Sequence, residues 1–214
     1  MNKIYNISEL TPFINWLYFY HAWGLSGKPR EDKEKMKQEA LQMLASWEEK
    51  YHTHAIFRLF EVCSEGDDLI FFLPGTLFRF PMLRQQHPSA PGEPNLCLAD
   101  FIRPLSQGIR DQVGVFCTSV DGTIIDEYSH DDYLNMMAQT LSDRLAEATA
   151  EKLHEEVRKD RAYWGYAPDE NLTIEQQHRE EYQGIRPAIG YPSLPDTSAN
   201  FLIDQLIDMK QAGI

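Results

Sequence analysis

Residues 54–73 read HAIFRLFEVCSEGDDLIFFL, and this stretch decides the fold. Two runs rich in aromatic and branched residues flank Ser64-Glu65-Gly66-Asp67, which is turn chemistry, so the stretch predicts a β-hairpin. Working outward, TLFRFPML (76–83) adds a strand that Pro81 confines to an edge or an end. His87–Asn95 carries three prolines and one glycine and reads as a surface loop. After LCLADFIRP (96–104) comes DQVGVFCTSV (111–120), a strand closed by Asp121-Gly122.

Either side of this block the apolar period changes to that of helices. Upstream, SELTPFINWLYFYHAWGLSGKP (8–29) predicts one helix, with Ser8 as N-cap and Pro12 in its first turn. Its face is Phe13, Trp16, Leu17, Tyr20 and Trp23, and Gly24 and Gly27 end it. A second helix over 31–50 places Met36, Ala40, Met43, Leu44 and Trp47 on one side. Downstream, Leu134, Met137, Leu141, Leu145, Ala148, Leu153 and Val157 predict a long helix from His130 to about Tyr163, roughly 45 Å at ~1.5 Å per residue. A short helix over Thr173–Tyr182 and an amphipathic one over Ser198–Gln211 complete the chain. The reading is α+β: an antiparallel sheet with helices before and after it, in one domain spanning 1–214.

Composition narrows the function classes. Of 214 residues 43% are apolar and 25% charged, which suits a globular chain with its own core. The net charge of −13 repels phosphate backbones and argues against a nucleic-acid partner. The most apolar stretch, Phe13–Leu25, is interrupted by Asn15 and His21, so no membrane span is expected. With no basic leader at the N-terminus, the expected compartment is the cytoplasm. Cys63, Cys97 and Cys117 are widely spaced and read as buried thiols.

Three sets of residues invite a chemical reading. His52 and His54 share one strand face but lack a third ligand, so they read as exposed histidines, with no metal site. Cys97 has no near histidine partner and reads as core. Asp143, Glu147, Glu151 and His154 recur along one face of the long helix; with Arg144, Arg158 and Lys159 nearby, a solvated face is the plainer account. The segment YQGIRPAIGYP (182–192) is more informative. Gly184 and Gly190 let backbone approach a ligand, Pro187 and Pro192 stiffen the chain, and Arg186 suits a carboxylate or phosphate. Tyr191 offers a ring face. On these residues alone, a proline-rich crossover with Arg186 in a surface ion pair accounts for the segment equally well.

Four ordered segments resemble the C-terminal activation domain of cobalamin-dependent methionine synthase. The stretch 161–198, RAYWGYAPDENLTIEQQHREEYQGIRPAIGYPSLPDTS, resembles the family's S-adenosylmethionine-binding segment, Arg-Pro-Ala-x-Gly-Tyr-Pro. NWLYFYHAWGLSGKP (15–29) is similar to the family opening D-W-T-P-F-F…W-x-L-x-G-K-Y-P, CLADF stands at Cys97–Phe101, and Asp131 through Tyr166 is similar to the family's long helix. The resemblance implies a curved antiparallel sheet with flanking helices. It also implies S-adenosylmethionine bound by Asn15, Arg186, Pro187, Ala188, Gly190 and Tyr191, with no catalytic residue in the chain itself.

In the family this domain supplies a methyl group to cob(II)alamin while a flavodoxin-like reductase supplies an electron. The long helix faces the cobalamin module, which makes Asp143 and Glu147 expected partner contacts. Three departures bear on the carry-over. Asn15 stands where the family has an aspartate for the ligand's amino group, which removes the charge from that contact. The chain stops at Ile214, where the family continues through a segment bearing tyrosines beside the ligand. No D-x-H-x-x-G cobalamin signature occurs, so cobalamin is expected on a partner polypeptide. The expected function is therefore a free-standing, C-terminally shortened reactivation subunit in methionine biosynthesis, without turnover alone. The alternative is a non-catalytic module that docks on a corrinoid protein and has lost S-adenosylmethionine binding.

Overall fold

The computed structural model describes residues 1–160 and 172–214. The far end of the expected long helix, at Tyr163, and the start of the segment beginning at Arg161 lie outside the described residues. The chain forms two compact units: residues 1–56, 116–183 and 209–214 in the first, and residues 57–115 and 184–208 in the second.

In the first unit, strand β1 (Asn2–Asn6) pairs antiparallel with the start of β2 (His52–Glu65), Asn2 opposite Ile56 and Asn6 opposite His52. Five residues with two asparagines and a lysine carry little strand signal of their own; the pairing and the burial of Tyr5 make this strand. The helix expected from Ser8 is broken in two. Helix α1 (Ile7–Leu10) is capped by Asn6 in a capping box with Glu9, while the N–H and hydroxyl of Ser8 donate to Glu48 at 2.7 and 2.6 Å. After a 3₁₀ turn at Thr11–Phe13 the chain extends at Ile14, and α2 (Trp16–Ala22) restarts from Asn15. The break turns the buried face to Phe13, Ile14 and Phe19 and leaves the expected face residue Leu17 exposed.

Helix α3 (Arg30–Trp47) buries Ala40, Met43, Leu44 and Trp47 as its spacing predicts, with Met36 half-buried. Helix α4 (Ile124–Glu127) leads into Tyr128, whose hydroxyl accepts the Trp47 indole N–H at 2.9 Å. Helix α5 (Asp132–Lys159) is capped by Asp131 and carries the core stripe of this unit: Met137, Leu141, Leu145, Ala148, Leu153 and Val157. It packs against α1, α2, α3 and α4. Helix α6 (Ile174–His178) is shorter than expected, because Thr173 caps it with Gln176 and Glu180 turns left-handed (φ 58°) just beyond it.

In the second unit the hairpin is as read. Strand β3 (Asp68–Leu73) pairs antiparallel with the end of β2 around a two-residue turn, Gly66-Asp67, where Gly66 takes φ +63°. Strand β4 (Thr76–Pro81) pairs with β3 and ends at its proline. Strand β5 (Asp111–Val120) pairs with β2; both strands run on from this unit into the first. Among the described residues the sheet has five antiparallel strands and is open, in keeping with the α+β reading.

Gly114 is required where it stands, since a Cβ there would lie 2.5 Å from the Phe57 ring. Arg84 pins the loop that follows β4 by donating to Asp67 and to Asp100 of the CLADF segment, each at 2.7 Å. The terminal helix α7 (Asn200–Ile207) is shorter than the expected Ser198–Gln211. A 3₁₀ turn at Thr197–Ala199 precedes it, and Asp208 at φ 52° ends it. Cys63, Cys97 and Cys117 are all buried. Among the described residues no helix is long and apolar enough to cross a membrane.

Candidate functional site

The Arg186 loop belongs to the second unit and is held by its own backbone. The Gly190 N–H donates to the Leu194 carbonyl at 2.8 Å, the Leu194 N–H to Tyr191 at 2.9 Å, and the Tyr191 N–H to Ala188 at 3.3 Å. Gly190 sits at φ +90°, a conformation that side-chain-bearing residues rarely adopt. Its nearest neighbour for an added Cβ would be Thr197 at 3.7 Å, so backbone conformation rather than crowding demands glycine. Leu194 is buried beneath the turn, and it anchors a Tyr191 ring that is 56% exposed. Pro187 and Ala188 are exposed and Arg186 is half-buried. Below the loop, the Asp196 carboxyl is held under its ordinary value by the hydroxyl and then the N–H of Ser198, which fixes the turn into α7. A turn closed by its own backbone bonds thus carries Arg186 and an exposed tyrosine. This donor set fits the carboxylate of an amino-acid ligand and a flat ring system or cationic group.

Asn15 lies in the first unit. Its side-chain carbonyl accepts the Leu17 N–H at 3.2 Å and caps α2. This role in the fold was not read from the sequence. An amide oxygen has a second lone pair, so the cap leaves capacity for one further donor.

The acids of α5 separate along its length. Asp143 is exposed, and Glu147 is half-exposed and paired with Arg144 at 2.6 Å. The Arg144 guanidinium stands 5.8 Å over the Tyr18 ring of α2. Glu151 accepts the Gln177 amide at 2.5 Å and docks α6. His154 is buried, edge-on to Tyr182 at 4.6 Å, and Arg158 is also buried, its guanidinium 5.0 Å over the same ring. The solvated face therefore holds for Asp143 and Glu147 and ends there; a 3.6-residue period cannot report that α6 and Tyr182 cover the rest.

His52 and His54 are half-buried rather than exposed. Asp121 accepts the His52 N–H and sits 2.8 Å from His54 Nε2, an arrangement that joins the start of β2 to the end of β5. Burial raises the Asp121 carboxyl, but its bonds to His54 and to the His52 N–H outweigh this and leave it lowered. Among the described residues, no group of three or more His, Cys, Asp or Glu could hold a metal. Cys97 is buried, as read, with its sulfur 3.8 Å from the Asp67 carbonyl.

The comparisons with known proteins agree on one family. Residues 6–214 match the family model described as vitamin B12 dependent methionine synthase, activation domain. The chain is also similar to a solved structure described as the crystal structure of the MetH reactivation domain bound to AdoHcy. The identity is 35% and the TM-score 0.89, with 100% of this chain and 71% of that one covered. The chain belongs to the activation-domain family of vitamin B12 dependent methionine synthase, a component of a methyltransferase system.

Proposed function

We propose that this chain binds S-adenosylmethionine and presents its methyl group to cobalamin carried by a partner methionine synthase polypeptide. The observation that carries the reading is the likeness, over the whole of this chain and 71% of the other, to a reactivation domain described as bound to AdoHcy, the demethylated form of that ligand. The Arg186–Tyr191 turn supports it, because its donor set suits the amino-acid end of the ligand. Arg186 takes the carboxylate, Gly190 and Ala188 shape the close backbone, and Tyr191 covers the ligand from its exposed face. The resemblance alone assigns Asn15 to the ammonium. When bound, cobalamin supplies the metal that accepts the methyl group, with an electron from a flavodoxin-like reductant.

Residues 1–214 act as one activation-like domain made of two compact units, in the cytoplasm, with no turnover alone. Asp143 and Glu147 face the partner; their exposure on α5 makes them accessible to it. One observation favours the non-catalytic alternative: Asn15 is neutral and already serves as a helix cap. Calorimetric titration with S-adenosylmethionine and S-adenosylhomocysteine decides between the two. Saturable binding that Arg186→Ala abolishes supports the first reading, and absent binding by the native chain supports the second.

A further inference from the structure

We propose that the cleft between α3, the end of α4 and α5 binds a small quaternary ammonium ion, with Glu39 as its counter-charge. The cleft lies wholly in the first unit and holds about 350 Å³, within the range of small-molecule sites. Its apolar lining is Met43 and Met137, both buried, with Leu134. Tyr128 and Tyr133 line it as well, and Glu39 is the one charged side chain that does so among the described residues.

Both tyrosines are held before a ligand arrives. The Tyr133 hydroxyl donates to Glu39 at 2.6 Å, and its ring meets Trp23 edge-on at 5.3 Å. The Tyr128 hydroxyl accepts the Trp47 N–H at 2.9 Å, with the two ring centroids 6.2 Å apart. Binding then orders little that is not ordered beforehand.

Charge selects a cation. Glu39 is half-buried and makes no ion pair among the described residues, and its carboxylate keeps lone pairs beyond the one that Tyr133 uses. Lys35, one turn earlier on α3, is exposed and forms no salt bridge with it. Beside Tyr128, Glu127 holds Lys50 at 3.1 Å, so that pair adds no net charge, and Asp131 and Asp132 at the start of α5 add negative charge. A hard metal ion fits poorly, because it needs several oxygen ligands and the cleft offers one carboxylate over two thioethers. An alkylated ammonium fits well. Its methyl groups require no acceptors, are drawn to tyrosine rings and pack against methionine.

The test follows methionine methyl signals by NMR in the full chain, with choline as the probe and its uncharged isostere 3,3-dimethylbutanol as the control. The expected result is a saturable shift of the Met43 and Met137 methyls at about 1 mM choline or below, with Met82 and Met209 unmoved and no shift from the isostere. Glu39→Gln, which can still accept the Tyr133 hydroxyl, should weaken choline about tenfold or more, and Tyr133→Leu should weaken it too. Saturating S-adenosylhomocysteine should leave choline binding unchanged, since the Arg186 loop is a separate place in the chain. No saturable shift of these two methyls, an equal shift from the isostere, or native affinity in Glu39→Gln overturns the proposal. Displacement of choline by S-adenosylhomocysteine overturns it as well, by assigning the cation to that ligand's site, and leaves the ligand reading standing.

Discussion

Arg186 carries the ligand assignment, and its substitution has a one-sided expected outcome. Arg186→Ala removes a charge-assisted pair worth ~1.5–3 kcal/mol and should abolish measurable S-adenosylmethionine binding. The loop is closed by backbone bonds that do not involve this side chain, so circular dichroism and melting should stay native. Asn15 is subtler because the structure gives it two roles. Asn15→Asp keeps a good N-cap and adds a charge that the start of α2 tolerates, so melting should hold while affinity tightens by on the order of 1 kcal/mol. Asn15→Ala loses the cap, about 1 kcal/mol of stability, as well as the ligand contact. Calorimetry and melts on the two variants separate the roles; weaker binding in the aspartate variant would remove Asn15 from the site.

Elements show why some of the structure was legible and some was not. The hairpin, β4, β5, α3 and the body of α5 follow their own periods, and their sequences sufficed. Strand β1 exists only because β2 pairs with it, and the break at Ile14–Asn15 comes from a cap that competes with helix continuation. The CLADF segment was recognised as a motif, but its work was visible only in three dimensions, where Asp100 receives Arg84.

That contact makes an acid-pH prediction. The Asp100 carboxyl is lowered from 3.8 to about 2, first by the Arg84 guanidinium and then by the Cys97 N–H. A carboxyl lowered by folding stabilises the native state fully above its unfolded value and loses that contribution as pH falls through the folded one. The second unit should therefore lose stability between about pH 4 and pH 2. Asp100→Asn should melt lower at neutral pH and show a shallower decline across that window; an unchanged slope would contradict the account. Gly114→Ala, which forces a Cβ to 2.5 Å from Phe57, should destabilise by about 1–3 kcal/mol in urea titrations.

At the scale of the molecule, the α+β class and the family were legible because four segments in fixed order carry specific residues. The division into two units was not, since β2 and β5 each belong to both and no composition shift marks the crossing. The exposure of Leu17 was not legible either, because it depends on the break before α2. Partner engagement gives the molecular-scale prediction. Asp143→Asn with Glu147→Gln should leave S-adenosylmethionine binding intact and stability within about ±0.5 kcal/mol, yet slow remethylation of partner-bound cobalamin. A native rate in that variant would return both acids to a solvated helix face.

The most direct measurement follows a labelled methyl group. The cobalamin-binding module of methionine synthase, in its cob(II)alamin form, is mixed with methyl-labelled S-adenosylmethionine and a one-electron reductant, with and without this chain. The account predicts label in the cobalamin, with an equal amount of S-adenosylhomocysteine, only when the native chain is present, and none above background with Arg186→Ala. Label that enters at the same rate without the chain, or none with the chain in excess, would contradict it.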